Sequence, residues 1–354
     1  MNRIKRGGGS PEAGEAGGPE TGGRKAGDPE AGDRKTGDQR VENRETGTGR
    51  PGSEGPGPDR SREIADFLRS RRARVTPGQA GLPSDPRGRR VPGLRREEAA
   101  RLAGVSTEYY TRLEQGRATN PSPEVVEALC EALRLDASER EHLTDLLARP
   151  TAARRTPARP QRVRPGLHLM LRTLEHVPAF VLGRRTDVLA ANRLARAVLT
   201  DFDALPVRQR NLARYYLLDP VARERTGDWE RIAAETVATL RLEAGRYPHD
   251  RQLADLVGEL TLHSPEFTAW WNDHRVLRRT HGAKHYRHPL VGNLYFSYES
   301  LQPPGDGDQT LCVYNVEPGS PTHQSLQLLS SWTATQEQPT PHQSAPGGRG
   351  VPDS

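Results

Sequence analysis

The chain has 354 residues, and this length favours two or three domains because a single hydrophobic core stops growing well before it. Its formal net charge is +6, and most of its basic residues are arginines, which suits an acidic partner such as nucleic acid. No apolar run approaches the roughly 18 residues of a membrane span, and no apolar signal core opens the chain. We therefore expect neither a membrane protein nor a secreted one.

The two cysteines, Cys130 and Cys312, lie far apart, and each is inside an apolar run. This placement predicts two small buried side chains rather than a disulfide or a metal site. A protein of this kind is expected in the reducing cytoplasm, with no cofactor.

Three segments have the composition of disordered chain. Residues 1–60 are rich in Gly, Pro and charged residues and contain no aromatic side chain, and residues 332–354 form a polar tail rich in Pro, Gln and Gly. Residues 150–164 contain five Arg, three Pro and no acidic residue, which indicates a basic linker. The ordered domains are accordingly predicted at 61–149 and 165–331.

The first of these domains has the pattern of an all-α fold with five helices. The first helix is predicted over residues 61–75, with Ser61 as its N-cap, and a loop rich in Pro, Gly and Arg follows over residues 76–93. Helical periodicity resumes at Leu94 and continues with short breaks to Ala148.

The stretch from Leu94 to Gly116 predicts a helix-turn-helix. Gly104 provides the residue with left-handed backbone that a tight turn between two helices requires, and Ser106 is placed to cap the second helix. Tyr110 and Leu113 then share the face of that helix which turns inwards.

The opposite face of the second helix is predicted to read base edges in the DNA major groove. Positive charge is concentrated here, since Arg62 to Arg117 hold 13 Arg and 7 acidic residues, a net charge of +6. The alternative is an ordinary helical hairpin with a solvated arginine face. The base-reading candidates are Thr107, Glu108, Thr111 and Arg112, and the candidates for holding the DNA backbone are Arg95, Arg96, Arg117 and Asn120.

The second domain has an α+β pattern, with two strands, a helical block and three further strands. The first two strands surround a tight turn and lead into a short helix, and the helical block extends from Val207 to about Val276. The five predicted strands cover residues 179–183, 188–192, 284–288, 293–301 and 310–316.

Motifs in both domains carry a resemblance to a known family. Residues 67–150 resemble the helix-turn-helix domain of the XRE family, the Cro and phage-repressor type. Within that family, the motif Tyr109-Tyr-Thr-Arg-Leu-Glu-Gln-Gly-Arg resembles the actinobacterial MmyB-like subgroup. Residues 165–329 are similar to the PAS-like domain of that subgroup through Val177-Pro-Ala-Phe and His288-Pro-Leu-Val-Gly-Asn-Leu. The resemblance implies a five-helix lambda-repressor-like domain that binds DNA, and a fatty-acid-like or other small apolar effector in the second domain.

The second domain is rich in large aromatic rings, which gather in cores and around ligands alike. A core role is the default for each ring, and the PAS-like layout is the reason to propose that some of them line a pocket. Arg278 and Arg279 could anchor a carboxylate head group, although a solvated arginine is the commoner case. The full set of ligand-binding candidates is Phe180, Tyr215, Tyr216, Trp270, Trp271, Arg278, Arg279 and Phe296.

Metal binding and catalysis have no comparable support. His281, His285 and His288 do not share one face, and no cysteine or carboxylate lies near them in the sequence to complete a metal shell. The chain also lacks a phosphate loop, a nucleophile elbow and a paired acid motif, so no enzymatic activity is predicted.

The sequence as a whole predicts a multidomain transcriptional regulator with disordered tails. Its partners are predicted to be double-stranded DNA, a small apolar effector and a second copy of the chain, which would match palindromic half-sites roughly 34 Å apart. The competing hypothesis is a DNA-tethered module whose second domain binds a protein partner and no small ligand.

Overall fold

The computed structural model describes residues 58–83, 93–118, 120–148, 161–305 and 307–337. Four predicted segments lie wholly or mostly outside these residues: the N-terminal tail, the basic linker, the end of the C-terminal tail and the arginine-rich part of the loop before Leu94. Among the described residues, no helix combines the length and the apolar character that a membrane span needs.

Five helices form the first domain, as predicted, and they enclose one apolar core. Phe67, Leu68, Leu94, Tyr110 and Leu113 are each fully buried in it. The helices are α1 (Pro58–Arg74), α2 (Arg96–Leu102), α3 (Thr107–Glu114), α4 (Pro123–Ala132) and α5 (Ala137–Leu147).

Local capping explains where three of these helices begin. The side chains of Ser106, Ser122 and Asp136 each accept a hydrogen bond from a backbone N–H in the first turn of α3, α4 and α5 respectively. The first helix differs from its prediction, because α1 begins at Pro58 and Ser61 therefore lies inside the helix. Ser61 does not cap it, so that part of the prediction was wrong.

The second domain is built on one antiparallel five-stranded sheet. Its strands lie in the order β2-β1-β5-β4-β3, so the first two strands in the chain complete a sheet whose other three come last. All five coincide with predicted strands within a few residues. They are β1 (Ala179–Leu182), β2 (Val188–Ala191), β3 (His281–His288), β4 (Gly292–Leu301) and β5 (Thr310–Asn315).

Helices cover both faces of this sheet and confirm the α+β class. One face packs against the helices that lie between β2 and β3, and the other carries Val181 and Leu311 against the first helix of the domain. The helices are α6 (Pro165–Thr173), α7 (Arg193–Val198), α8 (Leu212–Leu218), α9 (Pro220–Arg225), α10 (Trp229–Arg246), α11 (Arg251–His263), α12 (Pro265–Asn272) and α13 (Pro321–Glu337).

Two of these helices, α6 and α13, have no counterpart among the predicted elements. Pro165 occupies the first turn of α6, where its missing N–H costs nothing, and Leu167 and Leu171 bury one side of the helix. Helix α13 packs Leu326 and Leu329 into the main core and continues to Glu337, past the predicted end of the domain at residue 331. The helix therefore crosses the predicted boundary between the domain and the C-terminal tail.

Candidate DNA-binding surface and ligand domain

The turn between α2 and α3 has the geometry that its sequence predicts. Gly104 has a φ of 64°, a left-handed conformation that side chains rarely adopt. The hydroxyl of Ser106 then accepts a hydrogen bond of 3.1 Å from the backbone N–H of Tyr109. Tyr110 and Leu113 are fully buried and Val105 half-buried, so one side of α3 is held in the core. These contacts set α3 against α2 as a helix-turn-helix.

A buried carboxylate fixes the far end of α3. Glu114 is 1% exposed, and its two oxygens accept hydrogen bonds from Arg72 of α1 at 2.8 and 2.9 Å and from Arg96 of α2 at 2.5 Å. A charge can be buried at tolerable cost when it is paired and fully hydrogen-bonded. Glu114 thereby ties three helices together, a role that the sequence analysis did not assign to it.

The outward side of α3 carries the predicted base-reading residues. Thr107, Glu108 and Arg112 are exposed, as expected for side chains that would enter a groove. Thr111 is half-buried, and its hydroxyl donates a hydrogen bond of 2.7 Å to the backbone oxygen of Thr107. Thr111 is thus partly engaged by its own helix.

The four predicted backbone-holding residues lie at the start of α2 and in the loop that follows α3. Arg95 and Arg96 stand at the start of α2, where Arg96 keeps a side chain that is 48% exposed while its Nε donates to Glu114. The side chain of Arg95 lies 3.8 Å from Glu97. Arg117 and Asn120 follow α3 and are exposed, and Asn120 has a φ of 57°.

An aromatic cluster forms the main core of the second domain. Phe180, Tyr215, Tyr216 and Phe296, four of the predicted ligand-binding residues, are buried in it, and Trp270 packs against its edge. Phe180 and Phe296 both contact the ring of Tyr314 edge to face or tilted, with centroids 5.5 and 5.4 Å apart. Five of the six candidate rings thus lie together in one core, and their role in ligand binding stays a prediction.

Three tyrosine hydroxyls form a chain inside this apolar core. The hydroxyl of Tyr216 lies 2.7 Å from that of Tyr286, which lies 3.1 Å from that of Tyr314. Burial raises the pKa of all three phenols, so they remain neutral hydrogen-bonding groups. The core thus contains a polar centre.

Two basic side chains lie beside the aromatic core, and we include them with the three hydroxyls in the polar centre: Lys284, whose ammonium nitrogen is 5.1 Å from the ring centroid of Tyr298, and Arg279. Lys284 of β3 is 2% exposed, its nearest carboxylate is Glu235 at 3.8 Å, and its ammonium group has no hydrogen-bond partner among the described residues. Arg279 donates a hydrogen bond of 2.9 Å to the hydroxyl of Thr236, while its Nε has no such partner there. Burial and the nearby charge of Arg279 hold the pKa of Lys284 well below its usual range.

Comparison with family models matches both domains. Residues 63–143 match the model of a helix-turn-helix domain, and residues 163–329 match that of the MmyB-like transcription regulator ligand binding domain. The chain is a helix-turn-helix regulator with an MmyB-like ligand-binding domain. A search of curated proteins found no match. The XRE assignment and the actinobacterial origin stay predictions, because the matched helix-turn-helix model does not specify either.

Two predicted ligand-binding residues lie outside the aromatic core of the MmyB-like domain. Trp271 stacks on Phe267 in a separate cluster, with ring centroids 5.3 Å apart. Arg278 turns towards the helix-turn-helix domain, where it forms an ion pair with Glu141. Sequence reasoning also missed Lys284, although strand alternation places it on the same face of β3 as Tyr286.

Surface clefts of the MmyB-like domain lie away from most of the predicted lining. A cleft of about 460 Å³ runs along β3 and β4 beside His285, Tyr295 and Phe296, and one of about 690 Å³ lies between α6 and β2 beside Arg172 and Asn192. Among the described residues, no group of three or more His, Cys, Asp or Glu side chains could hold a metal ion.

Proposed function

We propose that this protein is a sequence-specific DNA-binding transcription regulator whose MmyB-like domain binds a small apolar ligand with an acidic head group, of the fatty-acid type. The observation that carries the DNA half of the proposal is the face of α3 that bears Thr107, Glu108 and Arg112. It is exposed on a helix whose N-terminus is capped and whose C-terminus is clamped. Reading a base sequence requires such a rigid helix with free side chains near its start.

The proposed separation between base-reading and phosphate-contacting residues on this surface has a direct test. The full chain is first used to select an operator from a random DNA library. The affinity of each single variant for that operator and for unrelated DNA is then measured by fluorescence anisotropy at several salt concentrations. Arg112→Ala should lower the preference for the operator over unrelated DNA, because a base-reading contact carries specificity. Arg117→Ala should weaken both kinds of DNA similarly and flatten the salt dependence, because a phosphate contact carries no sequence information.

Arg69→Ala provides the matched control, since Arg69 is an exposed arginine on α1 paired only with Asp66 of the same helix among the described residues. It should leave both affinities unchanged. Unchanged operator preference in Arg112→Ala would remove that residue from the reading surface. Failure of the selection to enrich any sequence would contradict sequence-specific recognition.

The ligand half of the proposal depends on the charges inside the MmyB-like domain. Lys284 is buried against the ring of Tyr298, and Arg279 is half-buried nearby. Arg231 donates a hydrogen bond of 2.7 Å to Oε1 of Glu235, and the other oxygen of Glu235 stays 3.8 Å from the Lys284 nitrogen, too far for a hydrogen bond. A buried basic group without a hydrogen-bond partner is costly, and an acidic group bound beside Lys284 would offset that cost. The surrounding rings would then contact an apolar chain.

Two measurements test this ligand class. Purified full-length protein would be extracted with organic solvent for mass spectrometry, and its melting temperature would be followed with added decanoate and with decanol as the uncharged analogue. Decanoate should raise the melting temperature more than decanol, and Lys284→Met should remove the difference. Equal effects of the two compounds, or no co-extracted molecule and no shift, would favour the alternative in which the domain binds a protein partner.

A palindromic operator and a cytoplasmic location belong to the same proposal. Two copies bound symmetrically would place their α3 helices in successive major grooves, with half-sites about one helical turn apart. Light scattering of the full chain with and without operator DNA should give one dimer per operator. A single copy bound per selected site would refute the dimer.

A further inference from the structure

The two domains share part of one core. Leu242 of α10 and Val276, which precedes β3, are buried in the apolar cluster of the helix-turn-helix domain. The ring of His142 of α5 packs so closely on α10 that a Cβ at Gly245 would lie 2.5 Å from it. The backbone of α10 and the packing surface of α5 are therefore in direct contact.

Buried charges reinforce this contact from α1. Arg241 of α10 is 1% exposed, and its guanidinium donates hydrogen bonds to Glu63 of α1 and to the backbone oxygen of Trp271. Arg71 of α1, which is 2% exposed, donates to the backbone oxygen of His274. A paired charge that loses its partner in a buried site is destabilising, so neither pair separates without a cost.

The segment of residues 273–280 contacts both domains, and its consecutive residues Arg278 and Arg279 bind different ones. The backbone N–H of Arg278 donates to the hydroxyl of Ser138 at 2.9 Å, and its guanidinium forms a two-pronged pair with Glu141 of α5. The next residue, Arg279, donates instead to Thr236 inside the MmyB-like domain. One short irregular segment thus joins α5 to Arg279 at the polar centre of the ligand domain.

Helix α10 makes the same connection by a second route. Its first half carries Trp229 and Ile232 into the aromatic core, its middle carries Thr236 to Arg279, and its second half carries Arg241 to Glu63 of α1. On α1, Arg71 contacts the MmyB-like domain, whereas the neighbouring Arg72 binds Glu114 at the end of α3. A rigid helix passes a displacement at one end to the other.

From these contacts we infer that α10 and residues 273–280 are the coupling element through which the state of the ligand domain's polar centre acts on the recognition helix. The inference rests on the proposed function, because it takes the centre around Lys284 and Arg279 as the place where the ligand's acidic group binds. A ligand that draws Arg279 inwards moves Arg278 against Glu141 and α10 against Glu63. Helices α1 and α5 follow, and α1 holds α3 through Glu114.

The coupling is tested without any ligand by amide hydrogen exchange on the full chain. Arg279→Ala and Thr236→Val each disturb the ligand side of the element, and Thr236→Val does so without changing charge. Each substitution alone should raise the amide exchange rate of α5 several-fold. Added to a chain that already carries Arg278→Ala, neither should raise that rate further. Unchanged exchange in α5 in both variants, with β3 and β4 still protected, overturns the inference.

A second experiment uses decanoate as the probe and reads DNA affinity. The factor by which decanoate changes the dissociation constant of the selected operator should fall at least five-fold in Arg278→Ala, while decanoate binding stays within two-fold of the unsubstituted chain. Arg214→Ala is the matched control, because it removes a two-pronged pair with Glu259 that lies within the MmyB-like domain. A full decanoate effect in Arg278→Ala refutes the coupling route.

The two experiments separate this inference from the proposed function. Absence of decanoate binding, or binding without any effect on DNA affinity in the unsubstituted chain, contradicts the ligand-control half of the function. In that case the exchange measurement still decides whether the polar centre and α5 are coupled.

Discussion

Two buried side chains, Glu114 of the helix-turn-helix domain and Lys284 of the MmyB-like domain, are partnered in opposite ways. In the first, the buried carboxylate of Glu114 receives hydrogen bonds from two arginines of two other helices. In the second, the buried ammonium group of Lys284 lies 3.8 Å from its nearest carboxylate and has no hydrogen-bond partner among the described residues. The hydrogen bonds of Glu114 hold three helices together, whereas the nitrogen of Lys284 still lacks a hydrogen-bond partner among the described residues.

This difference is the one expected between a structural network and the proposed ligand-binding site. A domain that must present a rigid helix to DNA gains from a closed network, because every member then holds a neighbour in place. A domain that must respond to a ligand needs polar groups whose best partner comes from outside. The following predictions test whether the two buried charges behave in these opposite ways.

Removal of the Glu114 carboxylate should have the largest effect. Glu114→Ala leaves Arg72 and Arg96 without their shared acceptor, and breaking a buried pair of this kind costs about 3 to 5 kcal/mol of unfolding free energy. Chemical denaturation followed by circular dichroism measures the loss. Glu131→Ala, at an exposed position on α4, should change stability by less than about 0.5 kcal/mol. A loss in Glu114→Ala as small as in the control would contradict the clamp.

Acid should weaken the interface between the domains through His142. Burial lowers the pKa of this imidazole to about 4 from its usual 6.5, with Glu63, Arg241 and His274 facing it. The folded chain therefore holds His142 neutral where the unfolded chain would protonate it. The contribution of neutral His142 to the unfolding free energy is fully present above about pH 6.5. It is lost as the pH drops towards 4, and the total loss is about 3 kcal/mol.

His142→Phe, which keeps a ring against Phe67 and Gly245, is the comparison variant for this pH effect. Its unfolding free energy should vary less with pH between 6.5 and 4 than that of the unsubstituted chain. In the folded chain Glu63 stays charged across this window, because the nearby His274 and the hydrogen bond and charge of Arg241 outweigh the opposite effect of burial and lower the pKa of Glu63 to about 2. Identical pH profiles in the two chains would exclude His142 as the source.

Removal of the Lys284 ammonium should have the opposite sign. Lys284→Met keeps the length of the side chain and removes a buried amine that has no hydrogen-bond partner among the described residues, so the ligand-free protein should gain about 1 to 3 kcal/mol of unfolding free energy. The melting temperature should rise while decanoate binding is lost. Arg287→Met, on the exposed face of the same strand, should change neither quantity. Destabilisation by Lys284→Met would show that the ammonium group is already well partnered.

The sequence predicted the helix-turn-helix domain closely because its signals are local. Gly104, Ser106, Ser122 and Asp136 lie at helix ends and act within a few residues, so their spacing alone locates α3, α4 and α5. Strand alternation was equally local and gave all five strands of the sheet. Helix α13 was missed because its several Ser and Thr residues favour a helix only weakly, and packing of Leu326 and Leu329 into the main core supplies the remaining stabilisation.

The long-range pairs could not be predicted from the sequence. Arg278 and Arg279 are neighbours with the same side chain, yet they bind residues 137 positions before and 43 positions before themselves respectively. Periodicity does not reveal such partners, because they depend on how two domains pack. Glu114 was missed for the same reason, since Arg72 is 42 positions away from it in the chain.

The smallest expected effect compares two caps within the DNA-binding domain. Ser106→Ala and Ser122→Ala each remove one hydrogen bond at the start of a helix and should each cost about 1 kcal/mol of unfolding free energy. Only Ser106 caps the helix proposed to enter the major groove, so Ser106→Ala should also weaken operator binding, whereas Ser122→Ala should not. Denaturation and anisotropy titrations on the same samples separate stability from affinity. Equal operator affinity in the two variants would mean that α3 stays rigid without its cap and that the Glu114 clamp alone is sufficient to hold it.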